Sequence, residues 1–132
     1  MSNVPLLELK KLIARAYAPY SDFKVAVIIR DRNGKVANGV NVENASYGLT
    51  SCAERNAVFS FVANGLEKPA ELFLYTETEA FTAPCGACRQ VLMEFDPNLP
   101  IVMINRDGEE KRVGIRELVP MPFGPEDLDE AK

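Results

Sequence analysis

The sequence predicts an α/β fold: one mixed sheet of about five strands with helices on both faces, three layers in all. Two observations lead there. Apolar residues recur at helical spacing in some stretches and as short runs rich in branched residues in others, so helices and strands alternate. The chain has 132 residues, 47% of them apolar, enough for one core and too few for two. Residues 1–132 therefore read as a single domain.

After Pro5, Leu6, Leu9, Leu12, Ile13 and Ala16 are spaced for one face, with Glu8, Lys10, Lys11 and Arg15 between them. That is an amphipathic helix of about three turns. It stops before Pro19, because a residue preceding proline is steered away from helical dihedrals. Phe23 to Ile29 is nearly continuous apolar sequence and suits a strand buried on both faces. Asn33-Gly34 offers the positive φ angles of a tight turn, so a hairpin partner follows from Lys35 to Glu43, with Gly39 as a candidate bulge. In that strand Val40 and Val42 face one way, Asn41 and Glu43 the other.

Thr50 and Ser51 are expected to cap a second helix, whose apolar face is Ala53, Ala57, Val58, Phe61 and Val62 and whose end is Asn64-Gly65. Glu71 to Thr78 reads as a third strand. Another helix opens near Pro84 or Cys85, carries Val91, Leu92 and Phe95, and is stopped by Asp96-Pro97. Ile101 to Ile104 and Lys111 to Val113 are two short strands, and Ile115 to Leu118 one helical turn. Phe123-Gly124-Pro125 begins an acidic tail, expected to be mobile beyond Leu128.

Reactive side chains are scarce: the chain has no histidine and three cysteines, Cys52, Cys85 and Cys88. An odd number of cysteines without a secretion signal reads as metal or redox chemistry in the cytosol rather than a disulfide framework. Cys85-x-x-Cys88 by itself fits a redox pair equally well; Cys52 shifts the balance toward zinc. Three protein ligands plus an open position describe a catalytic zinc site. Cys52 and Cys85 each lie at the start of a predicted helix, whose positive end stabilises a thiolate, and Arg55 and Arg89 are placed to add charge.

With histidine absent, Glu54 is the candidate proton carrier. Ser51-x-x-Glu54 also matches a capping box, a purely structural use of the same side chain. The residues alone thus point to a zinc hydrolase with a glutamate acid and base, against a non-catalytic zinc or thiol module. The formal charge of -4, with 15 basic residues scattered among 19 acidic ones, argues against a nucleic-acid partner. No stretch has the length of a membrane span.

Cys-x-Glu followed by Pro-Cys-x-x-Cys is a signature of zinc nucleobase deaminases. With Tyr20-Ser21-Asp22-Phe23, Asn41-Val-Glu-Asn-Ala-Ser-Tyr47, Thr50-Ser-Cys-Ala-Glu-Arg55, Pro84-Cys-Gly-Ala-Cys-Arg-Gln90 and Phe123-Gly-Pro-Glu-Asp-Leu128, most of the chain resembles the small homotetrameric cytidine deaminases. The resemblance implies a cytidine deaminase-like fold in which Cys52, Cys85 and Cys88 hold one Zn2+. It implies that activated water attacks C4 of cytidine or deoxycytidine while Glu54 protonates N3 and then the departing amine, giving uridine or deoxyuridine and ammonia. That is a step of pyrimidine salvage in the cytoplasm.

By the same resemblance Asn41 and Glu43 bind the ribose, Phe23 packs near the base or sugar, and the backbone of Ala53 holds the base carbonyl. Arg55 supports the metal site. Ala45 and Tyr47 reach a neighbouring subunit's pocket, and Phe123 covers the pyrimidine from another subunit of a homotetramer. The plainer alternatives are an exposed strand face for Asn41 and Glu43, and core packing for Phe23, Tyr47 and Phe123. Ala26-Val27-Ile28 stands where the family commonly has Gly-Ala-Ala, which is expected to alter packing beside Phe23. Val113-Gly-Ile-Arg-Glu-Leu118 resembles part of blasticidin S deaminase, yet residues 41–47 carry the nucleoside pattern.

Overall fold

In the computed structural model, which describes residues 3–131, five strands form one mixed sheet. They are Val25–Asp31 (β1), Val36–Val40 (β2), Pro69–Thr76 (β3), Pro100–Ile104 (β4) and Glu110–Gly114 (β5), and their order across the sheet is β2-β1-β3-β4-β5. The helices are Leu6–Ile13 (α1), Ala53–Ala63 (α2), Gly86–Phe95 (α3), Ile115–Leu118 (α4) and Pro125–Ala131 (α5). β1 runs antiparallel to both β2 and β3, and β4 runs antiparallel to β5. β3 and β4 are parallel, so the chain must cross over between them, and α3 is that crossover.

Successive strand residues point to opposite faces, and each face has its own core. Val27, Ile29, Leu72, Leu74, Ile101 and Met103 pack with Ala53, Ala57, Val58 and Phe61 of α2 and Leu92 of α3. Ala26, Ile28, Phe73, Tyr75, Val102 and Ile104 pack with Leu9 and Ile13 of α1. Both faces are thus covered, which is why β1 and β3 read as unbroken apolar runs rather than alternating ones. The methyl of Ala26 is fully buried on the α1 face, whereas α2 and the residues that open it lie on the other. Its effect on packing therefore falls in the α1 core.

Several local expectations are corrected by pairing between distant segments. The hairpin turn uses one positive φ, at Gly34 (85°), not two. Asp31 Oδ1 accepts the N–H groups of Asn33 and Lys35 at 2.9 and 2.8 Å and shapes the turn from inside. Gly39 is not a bulge, because β2 runs in regular register with β1. A Cβ there would collide with the Ala53 carbonyl and the Ala57 nitrogen, so glycine is what lets β2 lie directly on α2. β2 ends at Val40, and Val42 instead makes isolated bridges to Tyr17 and Ser51.

That second bridge delays α2. Ser51 is held extended against Val42 and its hydroxyl donates to Asn56 Oδ1 at 2.6 Å, so the helix is capped by Cys52 and not by Thr50 or Ser51. At its other end Gly65 (φ 71°) bonds Val62 and Leu66 bonds Phe61, closing the helix as its sequence predicted. The acidic tail is a helix through Ala131 rather than a mobile end beyond Leu128. Proline at its first position and Glu126 and Asp127 in its first turn all favour a helix start.

Candidate functional site

The first turns of α2 and α3 bring the three cysteines together. Cys52 and Cys85 are the residues immediately before the two helices, both in extended backbone, and Cys88 lies one turn into α3, fully buried. Their sulfurs are 3.8 Å apart for Cys52 and Cys85 and 3.4 Å for Cys85 and Cys88, and all three lie within 4.8 Å of one another. Tetrahedral zinc with bonds of about 2.3 Å sets sulfur-to-sulfur edges of about 3.8 Å, so the spacing fits one ion. Among the described residues no carboxylate joins the three sulfurs as a fourth ligand. Soft thiolates select zinc over the hard, oxygen-loving cations.

The charges around the three sulfurs suit a cation held among them. Burial, then the Glu54 carboxylate, then the neighbouring sulfurs push the Cys88 thiol far above its ordinary value. Burial also acts on Cys85, but the Cys88 backbone N–H and the adjacent thiols outweigh it and hold Cys85 below its ordinary value. Three thiolates this close repel one another unless a metal ion stands among them.

Glu54 sits in the first turn of α2 and is buried, with 5% exposure. Burial raises its pKa; its own backbone N–H, the Cys88 thiol and Arg55 pull partly the other way. The capping box is not made: the cap residue is Cys52, with no side-chain capping bond. Arg55 Nη2 donates to Cys52 Sγ at 3.4 Å, and its Nε is buried without a partner among the described residues. Arg89 does not join it. Its guanidinium donates to the carbonyls of Pro84 (2.7 Å) and Leu118 (3.2 Å), tying α3 to α4.

The remaining candidates fall into two groups. Asn41, Glu43 and Phe23 form one hydrogen-bonded wall. Asn41 is buried, with 8% exposure; its Nδ2 donates to the Phe23 carbonyl at 2.7 Å and its Oδ1 accepts from Val25 N–H at 2.9 Å. That rules out a merely exposed strand face. Glu43 Oε1 accepts from the N–H groups of Tyr20 (3.0 Å) and Ser21 (3.1 Å), and Oε2 from the Ser21 hydroxyl. The Ser21 hydroxyl bond, offset by burial and aided by the two backbone donors, lowers the Glu43 pKa. Because Val42 is paired with Ser51, this wall stands beside the residue that precedes Cys52.

Ala53 is fully buried, and its N–H is at the first helical position, where no partner exists within the helix. Ala45 is exposed. Tyr47 and Phe123 are 76% and 57% exposed and Phe23 44%, so none is a core aromatic. The Tyr47 ring meets Tyr20 edge-on at 6.2 Å over a cleft of about 410 Å3 that also includes Ser21, Glu43, Asn44 and Thr50. Phe123 is anchored through its carbonyl, which accepts from Gln90 Nε2 of α3 at 2.8 Å. Sequence reading passed over Ser21 and Asn56. Asn56 Nδ2 donates to the Val40 carbonyl at 2.8 Å and so ties α2 to the end of β2. Ser21 lies inside a marked motif, whereas Asn56 falls just after one and no local pattern pointed to it.

Comparison with known proteins agrees with this geometry. Residues 5–104 match the model for the cytidine and deoxycytidylate deaminase zinc-binding region. The chain is 38% identical over 127 residues to a cytidine deaminase of Sporosarcina psychrophila, covering 96% of this chain and 93% of that one. It is 39% identical over 116 residues to a cytidine deaminase of Halalkalibacterium halodurans, 87% and 88% of the two chains. The crystal structure of cytidine deaminase from Burkholderia pseudomallei superposes with a TM-score of 0.87 at 44% identity, covering 93% of this chain and all of that one. With three thiols disposed for a single zinc ion on the fold of those relatives, the chain belongs to the cytidine and deoxycytidylate deaminase zinc-binding family.

Proposed function

We propose that the chain catalyses the zinc-dependent hydrolytic deamination of cytidine and deoxycytidine to uridine and deoxyuridine, releasing ammonia. The observation that carries this reading is the pairing of three sulfurs within 4.8 Å of one another with a buried glutamate in the first turn of the helix that Cys52 opens. When bound by Cys52, Cys85 and Cys88, zinc supplies a Lewis acid that lets water lose a proton near neutral pH.

Glu54 handles the protons. Burial raises its pKa toward working pH, the condition for a group that must both accept and return a proton. It takes one proton from the attacking water and delivers it to N3 of the ring. It then takes the second proton of that water, once the oxygen is bonded to C4, and hands it to the departing amine. Carbonyl oxygen stays on C4 and ammonia leaves, so atoms and charge balance. The N–H of Ala53 orients the base carbonyl, while Phe23, Asn41 and Glu43 hold the sugar. Glu43 is kept ionised by its three donors and can only accept, which suits a sugar hydroxyl.

We further assign Ala45, Tyr47 and Phe123 to the pockets of neighbouring subunits in a homotetramer. Large aromatic side chains left exposed in one chain support that assignment. The net charge of -4 favours an uncharged nucleoside over a nucleotide or polynucleotide, and the three reduced thiols favour the cytoplasm.

The test is loss of ultraviolet absorbance on adding cytidine, deoxycytidine or blasticidin S to the zinc-loaded protein. Turnover of the first two is expected; turnover of neither overturns the assignment. Glu54→Gln is expected to retain zinc and lose turnover, and an active variant would remove Glu54 from the mechanism.

A further inference from the structure

We propose that Ser21 is a positioning residue for the substrate: its hydroxyl fixes the Glu43 carboxylate and the Phe23 backbone in the single arrangement that receives the sugar. The inference rests on the reading of Glu43 as a sugar-binding group. A carboxylate as accessible as that of Glu43 would ordinarily sample several rotamers in water. Here three donors converge on it: Tyr20 N–H and Ser21 N–H on Oε1, and the Ser21 hydroxyl on Oε2. A carboxylate offers about four acceptor sites, so roughly one is left, on Oε2, for a sugar hydroxyl.

The Ser21 hydroxyl has one proton, and Glu43 receives it. Its lone pairs then accept Phe23 N–H at 3.0 Å. Asp22 between them takes a left-handed φ of 57°, which aspartate tolerates, and this folds the Phe23 N–H back toward the hydroxyl. From Phe23 the connection continues: its carbonyl accepts from Asn41 Nδ2 at 2.7 Å. Glu43, Ser21, Phe23 and Asn41 thus form one continuous chain of hydrogen bonds, in which the one hydroxyl proton of Ser21 is committed to Glu43. The Ser21 side chain bonds Glu43 and the Phe23 backbone, and neither a cysteine nor Glu54. Its loss should weaken binding and leave the chemical step alone.

A double-mutant cycle on the zinc-loaded enzyme tests this. Ser21→Ala is expected to raise KM for cytidine about tenfold, the worth of one charge-assisted hydrogen bond, with kcat within about twofold of the parent. Glu43→Gln raises KM further, and adding Ser21→Ala to it has little additional effect, because the hydroxyl acts through the carboxylate. Ser21→Thr keeps the hydroxyl and restores KM. Zinc content stays the same throughout. An unchanged KM in Ser21→Ala beside a raised KM in Glu43→Gln overturns the role of Ser21 alone, as do additive effects in the double variant. An unchanged KM in Glu43→Gln overturns the sugar-binding reading of Glu43 and this inference with it.

Discussion

Arg55 Nη2 lies 3.4 Å from Cys52 Sγ, one turn further along α2, so the helix that opens on a metal-binding sulfur also supplies its countercharge. Three thiolates and one divalent ion leave a net negative centre, and a second negative charge on the attacking water is resisted unless a cation offsets it. Arg55→Gln keeps a donor and removes that charge. The acid limb of the pH–rate profile should move up by about one unit, with turnover at neutral pH falling about tenfold. An unmoved limb would reduce Arg55 to a packing role.

Removing the metal should abolish turnover, and one zinc per chain should restore it. Because Cys88 is held as a thiol well above its ordinary value, zinc must displace its proton, so binding weakens as the solution becomes more acid. Competition titrations at two pH values about two units apart should differ by at least about tenfold in affinity.

The same thiol gives the metal-free protein a pH-dependent stability. The unfolded Cys88 ionises near pH ~8.5 while the folded one keeps its proton, so the folded state binds more protons and loses stability as pH rises beyond that point. Cys85, held below its ordinary value, has the opposite sign: it favours the folded state as pH rises toward that point and adds nothing once the unfolded thiol has ionised too. Thermal melts of chelated protein should show Tm declining above pH ~8.5.

Glu54 has a raised pKa from burial, and the sign is the same. Its unfolded form ionises near pH ~4.3, its folded form later, so stability is lost as pH rises through that interval. Glu54→Gln removes the effect. The chelated variant should match the chelated parent near pH ~4 and melt higher than it at neutral pH.

Gly39→Ala should destabilise the protein by about 1–3 kcal/mol, because the new methyl meets backbone atoms of Ala53 and Ala57 that cannot step aside without moving α2 off β2. Gly86→Ala is the control. Its Cβ would meet nothing within 4 Å at the start of α3, and urea melts should find it neutral or slightly stabilising.

What could be read directly from the chain was whatever depends on neighbours in sequence or on rare residue types. The apolar runs of β1 and β3, the Asn64-Gly65 stop and the spacing of Cys52, Glu54, Cys85 and Cys88 are of this kind. No histidine and few thiols left little else to hold a metal. The α/β layering followed because each element type must bury its own face.

Only the tertiary structure decided where α2 begins, which way Arg89 turns, and that Asn41 is a buried brace between Phe23 and Val25. These depend on bonds between segments far apart in the chain: Ser51 prefers helix capping until Val42 claims its backbone, and the Leu118 carbonyl draws the Arg89 guanidinium to α4. Local preference is worth about 1 kcal/mol per cap. A distant strand or carbonyl that needs a partner overrides it, and no pattern of adjacent residues announces which one will.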